Sequence, residues 1–158
     1  MLEFTLIGIP LIFVLISIFE IARGMWLYES LSHGLKSGSR YAIVHGINCS
    51  SGTNTCGAEV KDIAAVIHNT SSGLVPADVT ITMESDSQSV QCVLATCLTD
   101  TTQFPSSQPG NLVGANITFT GTYRFQSALA MFWPGAHGGG VGFPTVNLPA
   151  STQEKIQF

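Results

Sequence analysis

Residues 4–19, FTLIGIPLIFVLISIF, form an apolar run that decides the fold of this chain. These sixteen residues carry no charge, and apolar side chains recur as far as Tyr28. As one helix, residues 4–27 would be about 36 Å long, which exceeds the roughly 30 Å of a bilayer's hydrocarbon core. We therefore predict one membrane-spanning helix in this part of the chain.

Two other kinds of segment share this apolar composition. A core helix of a soluble protein is one, but a helix that is apolar on every side needs a core that the rest of this chain can hardly supply. A secretory signal peptide is the other, and it has a basic start and a small-residue cleavage site. Here nothing basic precedes Phe4, and Glu20 and Arg23 follow the run. We expect the segment to be retained.

The composition also argues against a freely soluble monomer. Of the 158 residues, 45% are hydrophobic and 10% are charged, and the mean hydropathy is +0.34. Soluble domains carry about 25% charged residues. Lys and Arg number six against ten Asp and Glu, so the net charge of −4 leaves no basic surface for a phosphate backbone. We predict membrane insertion or self-association, and no nucleic-acid partner.

The flanking charges and the cysteines predict opposite orientations. Arg23, Lys36 and Arg40 follow the apolar run, which by the positive-inside rule would place the rest of the chain in the cytoplasm. Four cysteines in two close pairs indicate an oxidising compartment instead. Removal of a basic leader that preceded Met1 would resolve the conflict, and we expect such a leader.

Helical periodicity continues beyond the span, but the residue types change. Gly34, Gly38 and Ala42 recur every fourth residue and form a small-residue stripe, which would let another helix approach closely. A flexible connector is the alternative, because each glycine costs about 1 kcal/mol of helix propensity. Glu20 and Arg23 lie one helical turn apart, and we expect them to neutralise each other near the lipid boundary.

From about residue 46 the composition shifts to Ser, Thr, Asn and Gly, which marks a domain boundary. Apolar residues at helical spacing predict a short amphipathic helix at 58–68. Period-two alternation of β-branched and aromatic residues predicts strands at 79–83, 90–94 and 115–125, with a further strand within 146–158. The glycines and flanking prolines at 138–142 predict a loop.

These elements together predict an α+β fold, in which a long N-terminal hydrophobic helix precedes a small head. Residues 1–45 form the long hydrophobic helix. Residues 46–158 form a small extracellular head with an antiparallel sheet and a short helix.

The four cysteines lie in two pairs that are close in sequence, Cys49 with Cys56 and Cys92 with Cys97. Local disulfides would close loops of eight and six residues, each worth about 2–2.5 kcal/mol, although four cysteines allow three connectivities. A zinc site that recruits His45 or His68 is the competing interpretation, but C-x6-C and C-x4-C differ from the usual zinc spacings. We predict disulfides, no metal and no cofactor.

Enzyme signatures are absent from the sequence. The HGGG segment at 137–140 resembles an esterase oxyanion loop, but the chain has no G-x-S-x-G nucleophile elbow. It also has no P-loop and no H-E-x-x-H motif. We predict that the protein is not an enzyme.

Two segments resemble a known family. Residues 3–6, EFTL, are similar to the Glu-Phe-Ala-Leu start of class III signal (type IV pilin-like) subunits. Residues 35–42, LKSGSRYA, resemble the Arg-Glu-Gly-Ala-Arg-Tyr-Ala segment of TadE-like pseudopilins of the tight adherence system. The alternation into Tyr123 and Phe125, followed by MFWP at 131–134, also fits that family. The family usually has its glutamate at the fifth mature position, whereas Glu3 is third.

The resemblance implies a structural subunit that polymerises through its N-terminal helix into an extracellular filament for adhesion. Its partners would be copies of itself, the inner membrane before assembly, a prepilin peptidase and the pilus assembly machinery. Glu3 would pair with the terminal amine of the next subunit, or its own, because a carboxylate in lipid costs roughly 2.5–3.5 kcal/mol. A carboxylate that complements the helix dipole is the alternative role.

Pro10 lies inside the apolar run and has no backbone N–H to donate. It predicts either a kink that the membrane tolerates or a loosened helix that lets filament subunits shift. The candidate assembly residues are Glu3, Phe4, Pro10, Glu20, Arg23, Gly34, Gly38, Arg40 and Ala42.

A single-pass membrane protein whose extracytoplasmic head binds a ligand or partner is the competing hypothesis. In that case the apolar helix is an anchor and nothing more. Glu3 and the small-residue stripe favour the pilin hypothesis, since an anchor needs neither.

Overall fold

A computed structural model describes residues 2–45, 57–106, 108–127 and 145–157. The helices are α1 (Leu2–Ile43), α2 (Val60–Thr70) and α3 (Leu94–Cys97), with a 3-10 turn at Pro76–Asp78. The strands are β1 (Val79–Ser85), β2 (Gln88–Val93), β3 (Asn116–Phe125) and β4 (Val146–Lys155). A long apolar helix followed by an antiparallel sheet and short helices confirms the predicted α+β fold class.

Helix α1 has 42 residues and is therefore about 63 Å long. It contains Pro10 and continues without a break through Gly34 and Gly38. The flexible connector considered for the glycines is therefore not formed, and these residues belong to the helix. We call residues 7–26 the apolar half of α1 and residues 27–43 its head half.

The described strands form an antiparallel sheet in the order β2-β1-β3-β4. In its central register Ile81 of β1 pairs with Cys92 of β2 and with Gly121 of β3. Gly121 in turn pairs with Ala150 of β4. All four predicted strands and the predicted short helix are confirmed, with ends that differ by a few residues.

One face of the sheet forms the core of the head. Alternate residues of the two central strands are buried on this face, and they are Val79, Ile81, Met83, Ile117, Phe119, Gly121, Tyr123 and Phe125. Leu31 and Leu35 of the head half are fully buried and lie against the sheet at Gly121. A Cβ at position 121 would lie 2.9 Å from Leu35 Cδ1, so this glycine allows the close approach of helix and sheet. The hydrophobic core thus contains residues from both α1 and the sheet.

The N-terminus of α2 is capped by backbone rather than by a side chain. The amides of Val60 and Lys61 donate to the carbonyl oxygens of Thr102 and Asp100, at 2.8 Å each. The Asp100 carboxylate holds this loop, because its Oδ1 accepts from the Thr102 amide at 2.9 Å and from the Thr102 hydroxyl at 2.6 Å. These hydrogen bonds lower the pKa of Asp100. The loop at 100–102 therefore fixes where α2 begins.

Candidate membrane and assembly surface

The apolar half of α1 is exposed on every side of the helix. Twelve large apolar side chains of this segment are between 49% and 74% exposed. They are Ile7, Ile9, Leu11, Ile12, Phe13, Val14, Leu15, Ile18, Phe19, Ile21, Met25 and Trp26. An exposed apolar surface of this extent is typical of a membrane or protein interaction surface.

The exposed helix is long and apolar enough to cross a membrane. The candidate span is Ile7–Ile43, and an 18-residue window within it has a mean hydropathy of 1.9 and is not buried against any other described residue. Covering twelve such half-exposed side chains would contribute on the order of 10–20 kcal/mol. Lipid tails or other apolar helices can supply that cover, whereas water cannot.

The polar groups inside the apolar half are few, and Ser17 is satisfied within the helix. Its hydroxyl donates to the carbonyl oxygen of Phe13 at 2.8 Å. Pro10 cannot donate to the carbonyl of Leu6, so the helical ladder lacks one bond there. A helix with a single missing bond and a self-satisfied serine is compatible with an apolar environment.

A polar cluster joins the apolar half to the head. Arg23 Nη1 lies 3.8 Å from Glu20 Oε1, which is the ion pair that the sequence predicts. The same guanidinium lies 5.3 Å from the ring centroid of Phe125 and donates to the carbonyl of Gln126 at 3.5 Å. Gly24 faces Phe125 as well, at 3.9 Å from a built Cβ to Cζ. Arg23 therefore fastens the helix to the end of β3.

The small-residue stripe has its helical partner within the same chain. A Cβ at Gly38 would lie 2.5 Å from Ile67 Cγ1, and one at Gly34 would lie 3.0 Å from Cβ of Ser71. Ala42 is fully buried. The sequence placed this stripe among the assembly residues, and the helix that approaches it in the structure is α2. Packing of the head onto α1 accounts for the two glycines.

The other candidate assembly residues occupy different environments. Arg40 lies in the last turn of α1 with an exposed side chain. Glu3 and Phe4 lie in the first turns of α1, and their side chains fall outside what the structure describes. The assembly roles of all nine candidate residues, the small-residue stripe included, stay predictions.

One of the two expected disulfides lies in the described chain. Cys92 in β2 is bonded to Cys97 in α3, with a Cα–Cα distance of 5.6 Å. These two sulfurs are therefore not thiolates that a zinc ion could use. The pairing of Cys49 with Cys56 and the loop at 138–142 fall outside the described residues.

The head offers little else for chemistry within the residues that the structure describes. No three of their His, Cys, Asp or Glu side chains lie together as a metal site. At the end of the sheet far from the apolar half, a polar hollow of about 360 Å³ is lined by Asn116, Gln153, Glu154, Lys155 and Gln157. Small-molecule sites are lined mostly by apolar side chains, whereas every residue that lines this hollow is polar or charged.

Sequence reasoning missed two partners that build the junction. Phe125 is the partner of Arg23, and α2 is the helix that covers the small-residue stripe. Phe125 was placed in a predicted strand, but alternation does not say which strand end meets the helix. Gly121 was a signal that could have been used, because a glycine on the buried face of a strand indicates close approach of another backbone.

Comparison of the chain with protein-family models, with curated proteins and with solved structures finds no match. The arrangement itself divides α1 into two surfaces. The head half is covered by the chain's own sheet and α2, whereas no residue from 7 to 22 is buried and contact with the head begins at Arg23. Chemically, such a surface can insert into lipid or pack against identical helices.

Proposed function

We propose that this protein is a structural pilin subunit of the TadE-like kind, which polymerises through the apolar half of α1 into an extracellular filament. The observation that carries the proposal is the division of one continuous helix. No residue from 7 to 22 of its apolar half is buried, and its head half is the central support of a folded head. The proposed filament has the apolar halves at its centre and the heads outside.

The apolar half must be shielded from water both before and after assembly. Before assembly the inner membrane would supply it, since the segment is long enough to span. After extraction from the membrane, neighbouring copies of the same helix would supply it. Because the hydrophobic gain scales with the area removed from water, a bundle of identical apolar helices is a stable destination for a helix that leaves lipid.

Glu3 would determine where a new subunit adds to the filament. The resemblance to pilin-like subunits places it as the partner of a terminal amine on the neighbouring copy. A carboxylate left unpaired among apolar helices is costly, so a subunit would add where that amine is available. The competing hypothesis, a membrane anchor for a ligand-binding head, gives this residue only the role of complementing the helix dipole.

Glu3→Ala separates the two hypotheses. The protein is expressed in its native host or in a host with the assembly machinery, and sheared surface material and membranes are collected separately. We expect filaments in the wild-type surface material by electron microscopy, with this chain identified in them by intact mass. We expect Glu3→Ala to remain in the membrane fraction without filaments.

Glu84→Ala is the matched control, because Glu84 is an exposed carboxylate on β1 and not on the helix. It should form filaments like the wild type. Wild-type protein that is found in the membrane and never in filaments would overturn the pilin proposal and leave the anchored head. Filaments formed by Glu3→Ala would overturn the role of this residue.

A further inference from the structure

Four exposed apolar side chains lie where the head meets α1. Met25 and Trp26 of α1 are each 65% exposed. Val75, just before the 3-10 turn, and Val146, at the start of β4, are each 51% exposed. We call these four residues the junction rim. They come from three separate parts of the chain.

Two contacts relate the head side of the junction rim to residues 23–26 of α1. A Cβ at Gly73, two residues before Val75, would lie 3.8 Å from Trp26 Nε1. Val146 pairs with Phe125, which lies beneath the Arg23 guanidinium. The rim is thus the lower edge of the head, facing the apolar half of α1.

The length of the apolar run brings this edge to the membrane surface. The uncharged residues 4–19 span about 24 Å as a helix, and residues 4–22 span about 28 Å once Glu20 is paired with Arg23. Neither length exceeds the roughly 30 Å hydrocarbon core. With a core of roughly 30 Å measured from Phe4, Trp26 lies about 3 Å beyond its far edge by helical rise. That position falls within the headgroup layer, which is about 5–7 Å thick on each side.

The side chains at this level suit a headgroup layer. Trp has an apolar ring and one N–H donor, and it is enriched at membrane interfaces for that reason. Arg23 lies just below the rim, and Arg124, an exposed residue of β3, lies beside Phe125. Arginines at such positions can keep their guanidinium among phosphates while their stems contact apolar groups.

We propose that the junction rim is an interfacial docking surface that rests in the headgroup layer of a lipid bilayer, with Trp26 as its anchor. Before assembly this edge of the head lies on the membrane surface. This inference rests on the membrane stage of the proposed function and adds the depth and the contact surface of the head.

The test is depth-dependent fluorescence quenching in phosphatidylcholine vesicles that contain the full chain. The chain has two tryptophans, Trp26 and Trp133, so Trp133→Phe leaves Trp26 as the reporter. Nitroxide-labelled lipids carry the quencher on the headgroup, near the top of the acyl chain or near its end. We expect the first two labels to quench Trp26 at least about twofold more than the third, as for an interfacial ring.

Two variants that carry their single tryptophan elsewhere serve as depth controls. F13W/W26F/W133F places the reporter in the middle of the apolar half, and the deep label should quench it most. L112W/W26F/W133F places it on an exposed apolar position in the turn that precedes β3, at the far end of the head, and no label should quench it.

A deep signal from F13W/W26F/W133F with no quenching of Trp26 overturns the docking of the rim and leaves the spanning helix intact. Strongest quenching of Trp26 by the deep label overturns it too, because the rim would then lie inside the core. Loss of the deep signal from F13W/W26F/W133F overturns the spanning helix itself, and with it the membrane stage of the proposed function.

Discussion

Gly38 is the position of α1 where an added methyl group meets the hardest obstacle. Its built Cβ lies 2.5 Å from Ile67 Cγ1 and 2.8 Å from Cδ1, and Ile67 is fully buried. Cγ1 is close to the backbone and cannot swing away as the tip of a long side chain can. The interface between α1 and α2 therefore depends on the absence of a side chain.

We predict that Gly38→Ala lowers the free energy of unfolding of the head by about 1–2 kcal/mol. Overpacking a buried site costs roughly 1–3 kcal/mol, and the gain in helix propensity of up to about 1 kcal/mol offsets part of it. Thermal unfolding of the full chain in detergent measures the change. Gly8→Ala is the control, because nothing lies within 4 Å of a Cβ there. Equal effects of the two substitutions would contradict the packing explanation.

Asp100 gives a residue-scale prediction about pH. The hydrogen bonds from the Thr102 hydroxyl and amide lower the pKa of this carboxyl. A folded pKa below the unfolded value means that the interaction stabilises the protein above the ordinary Asp pKa of about 4 and is lost as the pH falls through the folded pKa. Loss of this interaction loosens the loop that caps α2.

Thr102→Val removes the hydroxyl and keeps the amide. We expect the pKa of Asp100, followed by its carboxyl carbon shift in NMR, to rise toward the ordinary value. We also expect Thr102→Val to melt at a lower temperature than the wild type near neutral pH, with the difference shrinking in acid. Thr99→Val, which removes a hydroxyl that donates to the Thr96 carbonyl nearby, should leave the pKa of Asp100 unchanged. A difference in melting temperature that grows in acid would contradict this account.

At the scale of elements, periodicity in the sequence is enough to locate every described strand and helix α2. The alternation in β3 works because one face is buried against α1 and the other is half-exposed, so the pattern of side chains is the pattern of burial. The strand order β2-β1-β3-β4 is not encoded in alternation, because pairing joins segments far apart in sequence. The N-terminus of α2 was not predictable for a similar reason, since its cap is the backbone at 100–102.

The same limit applies to the candidate surface. Sequence shows that the apolar half is apolar on every side, and the exposure of its side chains agrees. The sequence also shows that Gly34 and Gly38 form a small-residue stripe. The stripe alone does not show whether the helix that packs on it belongs to another copy or to the same chain. Within the folded chain, Ile67 of α2 lies against Gly38.

The disulfide between β2 and α3 makes an element-scale prediction. A loop of this length gives about 2 kcal/mol of stabilisation by loop-closure entropy, so its loss should lower the free energy of unfolding by that amount. A C49A/C56A background isolates the Cys92–Cys97 bond. In that background a reductant should lower the melting temperature, and the further change C92A/C97A should abolish the effect of the reductant. A reductant effect that persists without these two cysteines would contradict the assignment.

At the scale of the whole molecule, the two halves of α1 should respond oppositely to the same added charge. Ile12 is 57% exposed in the middle of the apolar half, and His33 is exposed on the head half. Arginine near the centre of a bilayer costs about 2.5–3.5 kcal/mol on insertion scales. On the head half an exposed arginine remains in water and costs little.

We therefore predict that Ile12→Arg reduces the share of the protein that resists alkaline extraction from membranes. His33→Arg should leave that share unchanged. Both variants carry one added arginine on the same helix, so a difference between them reports position rather than net charge. Equal retention of the two variants would argue against a membrane-spanning apolar half.

The unbroken course of α1 also couples rotation to length. Each residue of an α-helix turns the chain by about 100° and advances it by 1.5 Å. One residue inserted after Val14 would therefore turn the head by about 100° relative to the first turns of the helix, while moving it hardly at all along the axis. Seven inserted residues would restore the original bearing to within about 20° and displace the head by about 10 Å. The number of residues in α1 therefore sets the direction in which the head points relative to the first turns of the helix.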